Sequence, residues 1–413
     1  KQPVRVQANT ELLVSLTFNS RHPQHNLGHF RLSATDAETP VLDKAADALQ
    51  RALATLEIEM LEERGVDTSR LLISDRAHVV MPWHPVIDAH EEKLRGENAI
   101  GTTGTGTGPA FVDKAARAGI RMIDLVTPKL FERRLAEQLD YSNHLLEKLY
   151  DAPPLDFDEI RVEYADLGAR LQPWVTDTAA AVQDAHQRGE RILLEGAQGA
   201  LLDLDAGTYP FVTSSVPGSV AGGASIGIGI GPTAIERVVG VYKAYQTRVG
   251  NGPMPTELFD EDADRLREHG AERGAGEYGT TTGRARRCGW FDGVLARYTS
   301  RLNGITSVAL TRLDTLSGFE RVKLCVAYEL DDGSVNTLPS SLDDMQRLQP
   351  IYEEMPGWQR DVSNMRSLGA LPVEARQFIR RIEQLLEAPV DMISVGPQRD
   401  QAIVTRDVFG GAL

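Results

Sequence analysis

The sequence predicts an α/β fold with a large, mostly parallel sheet flanked by helices. Three observations carry this. Short apolar strands and amphipathic helical stretches alternate from about residue 70 onward, the pattern of βαβ units. Hydrophobic residues are 41% and charged residues 25% of the 413, as in a globular chain that buries a core. No internal repeat or long low-complexity linker interrupts the alternation, so the chain from about residue 56 reads as one large domain.

The elements follow in order. Residues 4–7, 12–18 and 29–33 are rich in β-formers and stand apart from the rest. The spacing of Ala46, Leu49, Leu53, Ile58 and Leu61 predicts a helix over 43–64, ended by Gly65. Strands are predicted over 71–74 and 78–81, helices over 129–149 and 176–188, and a strand over 191–195. A strand over 307–310 and a hairpin from 322 through the Asp331-Asp332-Gly333 turn come later, then a helix over 372–386. The domain boundary falls near 55: a β-rich segment plus the start of a helix over 1–55, and the large domain over 56–413.

Lys and Arg number 44 against 59 Asp and Glu, a net charge of -15. A phosphate backbone needs a basic surface, so no nucleic-acid partner is expected. A small anion can still bind where a few cations converge. No apolar run reaches the roughly 18 residues of a membrane span, so no membrane partner is expected. Two cysteines, Cys288 and Cys325, make neither a disulfide framework nor a zinc pattern. With no basic-then-apolar secretory start, a cytoplasmic setting is expected. His78, His84 and His90 lack metal-ligand spacing and read as structural.

Three Gly/Thr-rich stretches stand out. Gly101-Thr102-Thr103-Gly104-Thr105-Gly106-Thr107-Gly108 lets backbone approach an anion, with Lys114, Arg117 and Arg121 just downstream. The plainer reading is a surface loop. Glu195-Gly196-Ala197-Gln198-Gly199 follows an apolar run, where open α/β sheets bind ligands, and Gln198 can read a base edge. Gly279-Thr280-Thr281-Thr282-Gly283-Arg284-Ala285-Arg286-Arg287 puts three arginines in four positions of an acidic chain. Guanidinium forks suit carboxylates and phosphates; the alternative is a solvated basic turn. Asp314, after a strand, can accept from the N1 and N2 donors of guanine, and Ser394-Val395-Gly396-Pro397 can close over the same base; either alone is an ordinary strand-end turn. Gly227 to Gly231 lacks the strand and acid of a dinucleotide fingerprint and reads as close packing.

Taken together these stretches resemble the adenylosuccinate synthetase family, from about Leu56 to Phe409. The resemblance also rests on Gly207-Thr208-Tyr209-Pro210, Lys243-Ala244-Tyr245, Thr247-Arg248-Val249-Gly250, Pro255-Thr256-Glu257-Leu258 and Met355-Pro356-Gly357-Trp358. It implies a P-loop-NTPase-like synthetase fold. It implies GTP-dependent joining of IMP and L-aspartate to give adenylosuccinate, GDP and phosphate, with Mg²⁺, in AMP biosynthesis. It implies that Thr103, Arg117, Gln198, Thr213 and Arg284 bind IMP, with Arg117 reaching the neighbouring site of a homodimer. Thr281, Thr282, Arg284 and Arg286 would bind aspartate. Arg286, Arg312, Asp314, Ser394, Gly396 and Pro397 would bind GTP. No metal ligand is assigned. Arg312 stands where the family usually has Lys, and Thr105 where a basic residue is common.

The front of the chain departs from the family, which opens with a glycine-rich phosphate loop carrying a catalytic aspartate, then a catalytic histidine motif. The first 64 residues here hold one glycine, Gly28. His25 and His29, flanking Asn26-Leu27-Gly28, are the candidates for the histidine motif. The same stretch also resembles the closing strand of β-sandwich modules in large secreted proteins. Two alternatives therefore stand beside the synthetase: a nucleotide-binding chain lacking the base and phosphate loop, and a relative acting on another purine nucleotide such as dGMP.

Overall fold

The computed structural model describes residues 53–196, 198–215, 225–269, 271, 276–278, 285–331 and 333–406. The readings made for residues 1–52, including His25 and His29, fall outside them. The described chain divides into two units.

The first unit runs to Gln198 and includes Thr213–Ser215 and residues 225–231. It is mainly helical: α1 (Leu53–Glu63), α2 (Trp83–Arg95), α3 (Thr107–Ala116), α4 (Met122–Leu125), α5 (Pro128–Leu149), α6 (Phe157–Leu171), α7 (Thr178–Gln187) and α8 (Ser225–Ile228). Two short strands, β1 (Ile73–Ser74) and β2 (Val175–Thr176), pair in parallel. Gly65 ends α1 as expected, with φ of 77°, which a residue bearing Cβ resists. Pro128 opens α5, where its missing N–H costs nothing. Phe131, Leu135, Leu139, Ser142 and Leu146 then recur at three- and four-residue spacing and bury one face. That face shares a core with Met81, Trp83, Ile160 and Tyr164.

Two predicted strands are absent. Residues 78–81 make only an isolated bridge, His78 to Arg121, with Val79 N–H donating to the Ile120 carbonyl at 2.8 Å. Pro82 follows at once, without an N–H for a ladder, and caps α2. Residues 191–196 carry no regular secondary structure. An apolar run becomes a strand only where a second backbone bonds to it.

The second unit comprises residues 199–212 and the chain from Pro232 on. Its strands are β3 (Val239–Lys243), β4 (Gln246–Arg248), β5 (Arg287–Gly289), β6 (Phe291–Asp292), β7 (Ser307–Thr311), β8 (Arg321–Leu330), β9 (Gly333–Val335), β10 (Gln349–Pro356), β11 (Val390–Ser394) and β12 (Ala402–Val404). Its helices are α9 (Glu261–Glu268), α10 (Gly293–Asn303), α11 (Leu342–Arg347) and α12 (Val373–Leu386). One sheet has the order β12-β11-β7-β3, with β3, β7 and β11 parallel and β12 antiparallel. The register sets Lys243 beside Thr311 and Leu310 beside Ile393, so the carboxyl ends of three parallel strands line up. A second sheet, β10-β8-β6, carries the predicted hairpin as β8 and β9. β4 and β5 form an antiparallel ribbon.

The core here is aromatic and aliphatic: Tyr245, Trp290, Leu310, Phe319, Trp358, Phe378 and Ile393 belong to one cluster. α12 contributes Phe378, Ile379, Ile382, Leu385 and Leu386 along one face. Each such side chain contributes roughly 1.5–3 kcal/mol on burial. α10 starts at Asp292, whose Oδ1 accepts from the Val294 and Leu295 amides at 3.1 and 3.0 Å. Its Oδ2 accepts from the Tyr328 hydroxyl at 2.7 Å.

Candidate active site

In the first unit, the loop before α3 is fastened to α2 by two carboxylates. Glu92 accepts from the amides of Ile100, Gly101 and Thr102. Asp88, buried, accepts from the Thr102 hydroxyl at 2.9 Å and the Gly106 amide at 3.0 Å. Gly106 has φ of 77°, and a Cβ there would sit 2.5–2.7 Å from the backbone and Cβ of His84 and Pro85. Only glycine fits. His84 fixes the other side: its Nδ1 accepts from the Met81 amide at 2.9 Å, so Nε2 carries the proton and faces Asp113 Oδ2 at 2.9 Å. This confirms a structural role for His84. Thr103 is exposed, its hydroxyl 2.8 Å from that of Thr105, which is buried. Arg117 ends α3 with φ of 65° and is exposed. Gln198 and Thr213 are half-buried. Ser214, next to Thr213, lies 3.5 Å from where a Cβ of Gly108 would be, so the 213–215 turn approaches the first turn of α3.

In the second unit the predicted residues gather at the carboxyl ends of β3, β7 and β11. Sequence reasoning missed the group that organises them, Glu277. It is 1% exposed and held by four side chains. Lys243, at the end of β3, donates from Nζ to both carboxylate oxygens at 2.8 Å. The Tyr245 hydroxyl donates at 2.6 Å, Arg286 Nη1 at 2.7 Å and Arg312 Nη2 at 3.1 Å. Burial raises the Glu277 pKa, but the cations, Lys243 foremost, overcome it and hold the carboxyl at about 2. Burial pushes Lys243 down, against the pull of Glu277. Backbone bonds close the same place: Arg286 N–H donates to the Glu277 carbonyl at 2.9 Å, and Tyr278 bridges Ala285. Thr281, Thr282 and Arg284 lie between these, outside the described residues.

Three cations against one carboxylate leave the cluster positive, and Arg286 Nε is buried without a hydrogen-bond partner among the described residues. Arg312 follows β7 with φ of 65°, and Asp314 lies two residues on. Asp314 is buried; Oδ2 faces His269 Nε2 at 3.5 Å, and Oδ1 has no partner among the described residues. A buried carboxylate oxygen without a donor is costly, so a ligand N–H there would be strongly favoured. At the end of β11, Ser394 donates to the Gly396 carbonyl at 2.9 Å. Gly396 packs on the Gln401 amide, which donates to the Ser363 carbonyl at 3.1 Å and accepts from the Gln398 amide at 3.0 Å. Pro397 is exposed. Below the cluster, Arg248 holds the 208–211 turn, donating to the Thr208 hydroxyl and Phe211 carbonyl at 3.0 Å each.

Cations, an unmatched carboxylate oxygen and a glycine turn sit at the ends of parallel strands, the place where open α/β folds hold their ligands. The chain belongs to the adenylosuccinate synthetase family of ligases, whose profile matches residues 49–403. The adenylosuccinate synthetase of Carboxydothermus hydrogenoformans is 50% identical over 353 residues, covering 86% of this chain and 81% of that one. That of Streptococcus sanguinis is also 50% identical over 353 residues, covering 86% and 80%. The fully ligated adenylosuccinate synthetase structure from Plasmodium falciparum aligns with a TM-score of 0.78 at 35% identity, over 86% of this chain and 82% of that one. The fold class is thus that of the family.

Proposed function

We propose that the chain joins L-aspartate to IMP at the expense of GTP, yielding adenylosuccinate, GDP and phosphate. The observation that carries this is the guanine-ready oxygen of Asp314 beside the convergent Lys243, Arg286 and Arg312. Asp314 accepts from guanine N1–H and N2–H, and Ser394 and Gly396 flank the base. In the reaction, IMP O6 attacks the γ-phosphorus and GDP leaves; the aspartate amine then displaces phosphate from C6. Negative charge grows on phosphate oxygens in both steps, and preorganised guanidinium groups stabilise it. Thr103, Gln198 and Thr213 bind IMP. Thr281, Thr282, Arg284 and Arg286 hold the aspartate carboxylates. Arg117, exposed at the end of α3, serves the IMP of a second subunit in a homodimer. The setting is the cytoplasm. Magnesium accompanies the nucleotide in this reading and takes most of its shell from phosphates and water. Among the described residues no group of three or more His, Cys, Asp or Glu could hold a metal, so no residue is assigned to it.

The test is GDP formation by this chain with IMP, GTP, Mg²⁺ and aspartate, against the same mixture without aspartate. Aspartate-dependent turnover supports the ligase. A second reading is favoured by residues 1–48 lying outside the family match, with Gly28 the one glycine before Gly65. In it the chain binds IMP and GTP but lacks the base that activates O6. Binding of both nucleotides without turnover would select this reading. Turnover would direct mutation to His25 and His29.

A further inference from the structure

Glu277 is given no ligand to bind, yet it is the carboxylate on which Lys243, Tyr245, Arg286 and Arg312 converge. We propose that Glu277 is a positioning residue for the anion site: its carboxylate gathers Lys243, Arg286 and Arg312 into one geometry that receives the polyphosphate. This deepens the proposed function and rests on it. Four facts support it. All three cations and the Tyr245 hydroxyl reach the carboxylate within 2.6–3.1 Å. The cations come from three separate places in the chain, at 243, 286 and 312, and like charges at this separation repel unless something between them is negative. Glu277 also bonds through its backbone to Arg286 and, by its amide, to the Arg267 carbonyl at 2.8 Å, so it is itself fixed. The Tyr245 hydroxyl further accepts from Arg312 Nε at 3.1 Å, which locks the fork of that arginine.

The role has a signature of sign. A negative charge beside an anion site weakens anion binding by simple Coulomb repulsion, so neutralising it should tighten binding. If Glu277 instead positions the cations, neutralising it lets them move apart and binding weakens. The experiment is calorimetric titration of the full chain with GDP, and separately with IMP, for the parent, Glu277→Gln and Glu277→Asp. IMP is the control, because four of the five residues assigned to it, all but Arg284, belong to the first unit. The expected result is a loss of tenfold or more in GDP affinity for Glu277→Gln, with IMP affinity within twofold of the parent. Glu277→Asp keeps the charge on a shorter arm that cannot span all four donors, and should lose about threefold or more for GDP alone. Unchanged or tighter GDP binding by Glu277→Gln overturns the proposal. Should Glu277→Gln fail to fold, parent-like GDP affinity in Glu277→Asp overturns it equally. Absence of GDP binding by the parent is a different failure: it removes the functional reading first, and this inference with it.

Discussion

Replacing Asp292 by Asn should remove a pH dependence of stability. The carboxyl is buried, caps α10 through two amides and accepts from Tyr328. Burial lifts its pKa to about 6, against the opposing pull of those hydrogen bonds. The unfolded value is about 3.9, so the folded chain holds this proton more tightly than the unfolded chain. The group's contribution is therefore full below about pH 4 and is lost as the pH rises through about 6. A shift of about 2 units corresponds to about 3 kcal/mol in all, of which about 1.5 kcal/mol is lost between about pH 5 and pH 8. Asn caps a helix about as well as Asp but does not titrate. Its amide must face the Tyr328 hydroxyl, a constant cost of about 1 kcal/mol. Urea unfolding of both proteins at the two pH values isolates the titrating part. The Asn variant should gain about 1.5 kcal/mol on the parent between them. A difference that stays constant with pH would refute the reasoning, since it would mean that the Asp292 carboxyl titrates alike in both states.

Two further outcomes follow from the site. Asp314→Asn places an amide N–H against the guanine donors; GDP affinity should fall by about tenfold to a hundredfold, from one charge-assisted contact of about 1.5–3 kcal/mol, while IMP titration stays unchanged. Gly106→Ala forces a Cβ into the backbone at His84 and Pro85 at positive φ; denaturation should show a loss of roughly 2–4 kcal/mol, with weaker IMP binding as the loop lifts from Asp88.

Local pattern made much of this chain readable. The α5 face, the hairpin at Asp331 and the Gly65 stop all depend on neighbours within a few residues, and each formed as expected. Residues 191–195 failed because a strand is decided by its partner, not by its own side chains. The Gly/Thr and Arg stretches drew notice because glycine and guanidinium chemistry is unusual wherever it occurs. Glu277 was not. One glutamate just ahead of the 279–287 loop carries no local signal, and its meaning arises only when the sheet brings 243, 286 and 312 to one place. A faint clue existed: two arginines and a lysine in conspicuous motifs of an acidic chain needed a shared counter-charge. Asp88 and Glu92 were missed in the same way, since a helical carboxylate gives no sign of fastening a loop ten residues onward.

The contact between Gly396 and Gln401 has a consequence for how this family's sequences vary. A side chain at 396 would strike the flexible end of Gln401 rather than a rigid backbone. The lineage can therefore accept it, provided Gln401 shortens or rotates and gives up its bonds to Ser363 and Gln398. The contact couples the two positions. Across homologues, anything larger than glycine at 396 should travel with a smaller residue at 401, and a sequence with both large should carry a remodelled turn.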